Sequence, residues 1–196
     1  MASISSVCVY CASSDKCRPI FLESAYQLGI ILAQNNLEII YGGGSTGLMG
    51  KLADGAISAN GRVTGIIPQF MQDLEWGHTG ITTLEEVDDM HMRKLRMIKK
   101  SDGIVALPGG CGTLEELLEA ITWKRLGLAA QPIVIVNIEG FYDPLITMLE
   151  RTVEEQFMRE EHLAMWHVVN SIEEVLPALQ SIEIWPADEA RGYAKV

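Results

Sequence analysis

The sequence predicts an α/β domain in which a mostly parallel sheet is covered by helices on both faces, a three-layer sandwich. Three observations lead there. Short apolar runs alternate with amphipathic stretches of helical period along most of the chain. Several of those runs are apolar at consecutive positions, as strands buried on both faces are. Two glycine-rich loops, 42–47 and 108–112, each follow a strand-type run and open a helical stretch, the place where ligands bind in such folds.

Taken in order, residues 7–11 (VCVYC) read as the first strand. An amphipathic stretch over 19–35 follows, with Pro19 suited to a first helical turn. Residues 37–41 form the next run, ended by Gly42-Gly43-Gly44, and helical spacing covers 48–60 until Gly61 breaks it. A third strand is expected over 63–67, stopped by Pro68, and 68–80 has no clear period and reads as a loop. A basic helix over 90–101, a strand over 103–107 and a helix over 113–126 come next. A strand over 133–137 and a helix over 141–157 follow them. The last thirty residues offer a short strand at 167–169 and a helix near 172–180. The polar tail from about 181 is expected to pack loosely.

A chain of 196 residues suits one domain spanning 1–196. With 15 Lys and Arg against 26 Asp and Glu, its formal charge of −11 argues against nucleic acid and membrane surfaces as partners, since both recruit clustered positive charge. No apolar run is long enough to span a bilayer, and the first residues lack the basic and apolar segments of a signal peptide, so a cytoplasmic location is expected.

Four cysteines make no disulfide scaffold at this length. Cys8 and Cys11 form a CxxC, but within a strand residues three apart face opposite ways, so both read as core residues rather than a redox or zinc pair. The histidines at 78, 91, 162 and 167 show no ligand spacing, and neither a metal nor another cofactor is expected.

The first loop contains Gly42-x-Gly44-x-x-Gly47, the spacing of a dinucleotide fingerprint. The acidic residue that would hold a ribose about 20 positions on is missing, since the next strand ends in Pro68, which weighs against a nicotinamide dehydrogenase. A tight strand-to-helix turn is the plain alternative. In the second loop, Pro108-Gly109-Gly110-Cys111-Gly112-Thr113, residues Thr113 and Glu116 fit a T-x-x-E capping box. Capping does not explain three glycines in four positions, whereas a phosphate at the helix start would use the same N–H groups. Glu116 is then expected opposite the apolar stripe Leu114, Leu117, Leu118 and Ile121, working at the sugar. Five of the 15 basic residues fall between Arg93 and Lys100, and helical geometry puts Arg93, Arg96 and Lys100 on one face. That face is either solvated or meets an anion. Together these features point to a small phosphorylated ligand.

The segments YGGGSTGLMG (41–50), MHMRK (90–94) and PGGCGTLEE (108–116) resemble, in order and spacing, the Lonely Guy (LOG) family, which is often mislabelled as lysine decarboxylases. The resemblance runs from about residue 7 to 157. Departures are Ala12 and Gln156, each where the family commonly has glycine. The resemblance implies a Rossmann-like three-layer sandwich and a homodimer whose sites can borrow partner residues. It implies hydrolysis of the N-glycosidic bond of a nucleoside 5′-monophosphate, such as a cytokinin riboside monophosphate or AMP, to free base and ribose 5-phosphate. Arg93 and Glu116 match the catalytic positions. The carboxylate would stabilise an oxocarbenium-like state and orient or activate water, and the arginine would neutralise phosphate or the departing base. Lys94, the loop from Gly110 to Glu116, and Thr122 match ligand-binding positions, and Glu75 matches a base contact. The candidate binding set thus takes Gly43, Gly44 and Ser45 from the first loop. From the second it takes Gly109, Gly110, Cys111, Gly112, Thr113, Leu114 and Glu115. A non-enzymatic nucleotide or molybdenum-cofactor carrier on the same fold is the alternative. A pyridoxal-phosphate decarboxylase would need a Schiff-base lysine and usually a larger fold. Cys111 reads as loop filler rather than as a nucleophile.

Overall fold

The computed structural model describes residues 4–72, 76–182 and 185. Glu75 and nearly all of the expected loose tail lie outside the described residues. Among the described residues seven strands form one sheet: β1 (Ser6–Tyr10), β2 (Glu38–Tyr41), β3 (Val63–Pro68), β4 (Thr83–Val87), β5 (Gly103–Ala106), β6 (Ile133–Val136) and β7 (His167–Val169). Their order is β4-β3-β2-β1-β5-β6-β7 and every neighbouring pair is parallel, so the sheet expected to be mostly parallel is wholly so.

The helices are α1 (Pro19–Gln34), α2 (Gly47–Ser58), α3 (Gln69–Gln72), α4 (Met90–Lys99), α5 (Cys111–Arg125), α6 (Asp143–Glu154) and α7 (Val175–Ser181). Two apolar cores separate them from the sheet. Leu28 and Leu32 of α1, Leu48 and Leu52 of α2 and Val175 of α7 pack on one face. Met97 of α4, Leu117 and Ile121 of α5 and Leu149 of α6 pack on the other. β1 feeds both by its pleat: Val7, Val9 and Cys11 join the first core, Cys8 and Tyr10 the second. Each Val, Leu or Ile fully buried here contributes about 1.5–3 kcal/mol of transfer free energy. Burial also pushes the Cys8 and Cys11 thiols well above the ordinary thiol range, so neither is a nucleophile.

Two expectations need correcting. Residues 83–87 form a strand that the sequence reading passed over, because β4 pairs only with β3 and its sequence TLEEV is mostly part-exposed. The presumed loop 68–80 contains the short helix α3 and an antiparallel bridge between Gly44 and Gly77. At the end of α6, Gln156 holds φ +63°, a left-handed conformation that glycine adopts without steric cost, which explains why glycine suits this position.

The chain turns back after β4, so β1 is flanked by β2 on one side and β5 on the other. The loops leaving β1, β2 and β5 therefore diverge above the middle of the sheet, where open α/β folds bind ligands.

Candidate functional site

A cleft of about 650 Å³ opens above the carboxyl ends of β1, β2, β3 and β5. Its rim is lashed together by hydrogen bonds to backbone carbonyls. The Ala12 N–H donates to Pro108 O (3.3 Å), the Met49 N–H to Ala12 O (3.1 Å), and Thr46 Oγ1 to Ser13 O (3.0 Å). Tyr142, fully buried, donates its hydroxyl to Leu107 O at 2.7 Å and pins the start of the second loop from below.

The second loop opens α5, but the helix begins at Cys111 with Gly110 as its N-cap. The expected Thr113–Glu116 capping box is therefore absent: Thr113 stands inside the first turn and Glu116 lies in the second, six residues after the Gly110 cap. The first bond of the helix runs from Leu114 N–H to Gly110 O (3.0 Å), which leaves the N–H groups of Cys111, Gly112 and Thr113 ahead of it at the cleft wall. Around Gly110 and Gly112 a Cβ would meet open space, whereas at Gly109 it would lie 2.1 Å from Thr113 Oγ1. Gly109 thus lets Thr113 fold in, and the other two keep the cradle open. A 15-residue helix pointing its free N–H groups into a cleft is suited to an anion.

Glu116 does not sit opposite the apolar stripe as expected. It shares the buried face of α5 with Leu117, Ala120 and Ile121, while Leu118 is exposed. What turns a carboxylate inward is Arg93. From α4, capped by the Asp89 carboxylate on Met92 N–H (2.8 Å), this side chain reaches under the first glycine loop. Its Nε donates to Ile66 O and its Nη2 to Gly42 O, both at 3.1 Å, and Nη1 lies 3.5 Å from Glu116 Oε1. Burial pushes the Glu116 carboxyl above its usual range, Arg93 pulls it back, and neighbouring Glu115 pushes it up again. The result is a carboxylate held in place yet more basic than a solvated one.

The basic face expected on α4 splits. Arg96 and Lys100 are exposed and turn to Glu85 on β4, away from the cleft. Lys94 is buried against α5, its Nζ 2.5 Å from Glu115 Oε1 and 3.1 Å from Glu119 Oε1. Burial alone would lower its pKa, but those two carboxylates raise it on balance, so it stays charged as a clamp between helices.

Of the other candidate residues, Gly44, Gly110, Cys111, Gly112, Thr113 and Glu115 line the cleft. Gly43 packs against Leu84 and Ile67, Ser45 is exposed on the rim, and Leu114 is half-buried on the second core. Thr122 is exposed, its hydroxyl turned back to Leu118 O at 2.7 Å, and Glu75 lies outside the described residues. The sequence reading missed Ser13, Ser14, Thr46, Met71, Trp76 and Met90 as cleft walls. The serines follow β1, so strand-end position was a usable signal for them; the rest meet only through the fold. Among the described residues no group of three or more His, Cys, Asp or Glu side chains stands ready to hold a metal ion.

Residues 49–179 match the family described as possible lysine decarboxylase. A probable cytokinin riboside 5′-monophosphate phosphoribohydrolase from Oryza sativa subsp. japonica is 41% identical over 153 residues, 78% of this chain and 63% of that protein. A cytokinin riboside 5′-monophosphate phosphoribohydrolase from Arabidopsis thaliana is 41% identical over 152 residues, covering 78% of this chain and 70% of that one. The chain belongs to the Lonely Guy family. Among solved structures, the molybdenum cofactor binding protein of Rippkaea orientalis superposes with a TM-score of 0.70 at 21% identity, over 93% of this chain and 99% of that one. At that identity the likeness shows a common fold. The LOG motifs thus coincide with the residues that build the cleft: the first glycine loop receives Arg93, and the second presents Glu116.

Proposed function

We propose that this chain hydrolyses the N-glycosidic bond of a nucleoside 5′-monophosphate, releasing free base and ribose 5-phosphate. The observation that carries the reading is the buried Arg93–Glu116 pair beside an open helix N-terminus. The activity printed for the rice and Arabidopsis relatives agrees with it. Cytokinin riboside monophosphates and AMP are the substrates proposed.

In this reading the 5′-phosphate sits on the N–H groups of Cys111, Gly112 and Thr113, and the anomeric carbon faces Glu116. The C1′–N bond breaks with its electron pair leaving on the base, and positive charge builds on the sugar, where the carboxylate opposes it. Water adds its oxygen to C1′ from the side of Glu116. Its raised basicity lets Glu116 take a water proton, and the released base is protonated in turn. Arg93, already committed to two carbonyls, orients the carboxylate rather than clamping phosphate. Lys94 acts through Glu115 by fixing α4 to α5. Glu75 is proposed to contact the base, and Thr122 to serve a neighbouring site in a two-fold homodimer. Four free cysteines suit a reducing compartment such as the cytoplasm.

Incubation with AMP should yield adenine and ribose 5-phosphate in equal amounts, with little from adenosine, which lacks the anion. A carrier on this fold would bind AMP and release nothing. Equal turnover of AMP and adenosine would contradict the anion site.

A further inference from the structure

We infer that Trp76 is the platform on which the substrate's base stacks. The inference rests on the nucleotide reading above and assigns the opposite end of the same cleft. That end differs in chemistry from the α5 end. Over β2 and β3 its walls are Met49, Ile67, Met71, Trp76 and Met90. Met90 lies beside Arg93, with Sδ 3.9 Å from Nη1, and Ser45 N–H reaches Trp76 O at 3.0 Å. The apolar wall thus stands on the Arg93 side of the cleft, over β2 and β3, while Glu116 and the helix N-terminus belong to α5. A nucleotide whose phosphate is on α5 and whose anomeric carbon faces Glu116 finds its apolar surface for the base on the β2–β3 side.

Trp76 stands apart from the protein's packed tryptophans. It is 52% exposed, against 7% for Trp166 and 8% for Trp185. Such a large apolar ring gains most from being covered. Its backbone, moreover, is fixed. Trp76 N–H donates to Met71 O, Gly77 bridges Gly44, and His78 N–H donates to Gly43 O at 2.9 Å. Trp76 through its carbonyl and His78 through its N–H are thus each bonded to the backbone of the first glycine loop, and those two bonds make the Gly44–Gly77 bridge. An exposed indole on a fixed backbone beside the reacting centre offers a π-face with much of its ordering cost already met. A purine covers more of that face than a pyrimidine, so purine nucleotides are the favoured class.

The test uses the full chain with AMP and ribose 5-phosphate as probes. Trp76→Ala should weaken AMP binding about 5- to 150-fold, the scale of one lost base–aromatic stack. The rise should fall on KM, with kcat changed only a few-fold, and Trp76→Phe should recover most of it. Inhibition by ribose 5-phosphate, which has the anion but no base, should stay the same. AMP should also quench tryptophan fluorescence in the native protein and much less in Trp76→Phe. Unchanged AMP affinity in Trp76→Ala overturns the proposal. So does an equal loss for ribose 5-phosphate, which would mark a general structural role. A change of oligomeric mass with unaltered AMP affinity overturns it too, since Trp76 would then be covered by a second copy. If Trp76→Ala weakens AMP binding but the native protein cleaves no nucleotide, the platform stands and the hydrolase reading falls.

Discussion

Arg93 Nη1 stands 3.5 Å from Glu116 Oε1, and the two residues are only 6% and 8% exposed. A buried ion pair is costly to desolvate, and Coulomb attraction offsets that only when the remaining polar groups are satisfied. Here the carbonyls of Ile66 and Gly42 accept from the same guanidinium. The first glycine loop is thus a receptor for an arginine from the chain itself, and the arginine in turn aims a carboxylate from the second loop.

Gly42 is the point where this arrangement is most sterically exacting. A Cβ there would lie 2.0 Å from Arg93 Nη2 and 3.1 Å from Met49 Sδ. Gly42→Ala should displace the guanidinium from its carbonyl while leaving the strands intact. Turnover of AMP should fall about 10- to 100-fold, the equivalent of one lost charge-assisted hydrogen bond, with an unchanged circular dichroism spectrum. Native turnover in this variant would show that the arginine's placement is dispensable.

Replacing Arg93 should alter pH dependence in a defined direction. Burial already raises the Glu116 pKa above the unfolded value near 4.5, and Arg93 opposes that rise. In Arg93→Met the folded pKa climbs further, so the acid limb of the rate profile should move to higher pH. Stability follows the same sign: the cost of an unpaired buried carboxylate is absent below the unfolded pKa and grows as pH rises through the folded one. The variant should lose about 3–5 kcal/mol at neutral pH and less in acid. Melting curves at several pH values check this, and a loss that does not shrink in acid would contradict it.

Assembly is testable on the outer side of the layer formed by α4, α5 and α6. Leu118 on α5, Met148 on α6 and Phe157 just beyond it are 39%, 61% and 72% exposed, apolar side chains that a second copy would cover. Light scattering should give twice 21.6 kDa, and Met148→Asp should shift the mass toward the single chain. A native monomer at micromolar concentration would contradict the dimer.

The central strands were legible because residues such as Val134 and Ile104 are buried on both faces and leave an unbroken apolar run. β4 was not, since its charged Glu85 is kept by partners 11 and 15 residues away, Arg96 and Lys100, that no local pattern announces. The motifs located the two loops correctly. They misplaced the helix start, because Gly110 can serve as N-cap and the helix then begins at Cys111, two residues before Thr113. That shift of register changes Glu116 from a cap into an inward carboxylate. Likewise, one helical face of α4 held both Arg93 and Arg96 by spacing, but only the carbonyls of β3 and the first loop decide which of them turns inward. Trp76 enters the cleft because the adjacent Gly77 bridges Gly44, 33 residues earlier in the chain.

Glu116→Gln tests the central claim most directly. Glu116 caps no helix end, so the amide forfeits no capping bond, keeps the side-chain volume and removes only the charge. Adenine release from AMP by the native protein and the variant should be measured side by side, with AMP binding and melting temperature alongside. The account predicts a rate lower by about a hundred- to a thousandfold, with AMP still bound. The melting temperature reports the separate cost of leaving buried Arg93 without its counter-charge, at most about 3–5 kcal/mol because the Ile66 and Gly42 carbonyls still accept from it. Adenine release at the native rate by Glu116→Gln would contradict it.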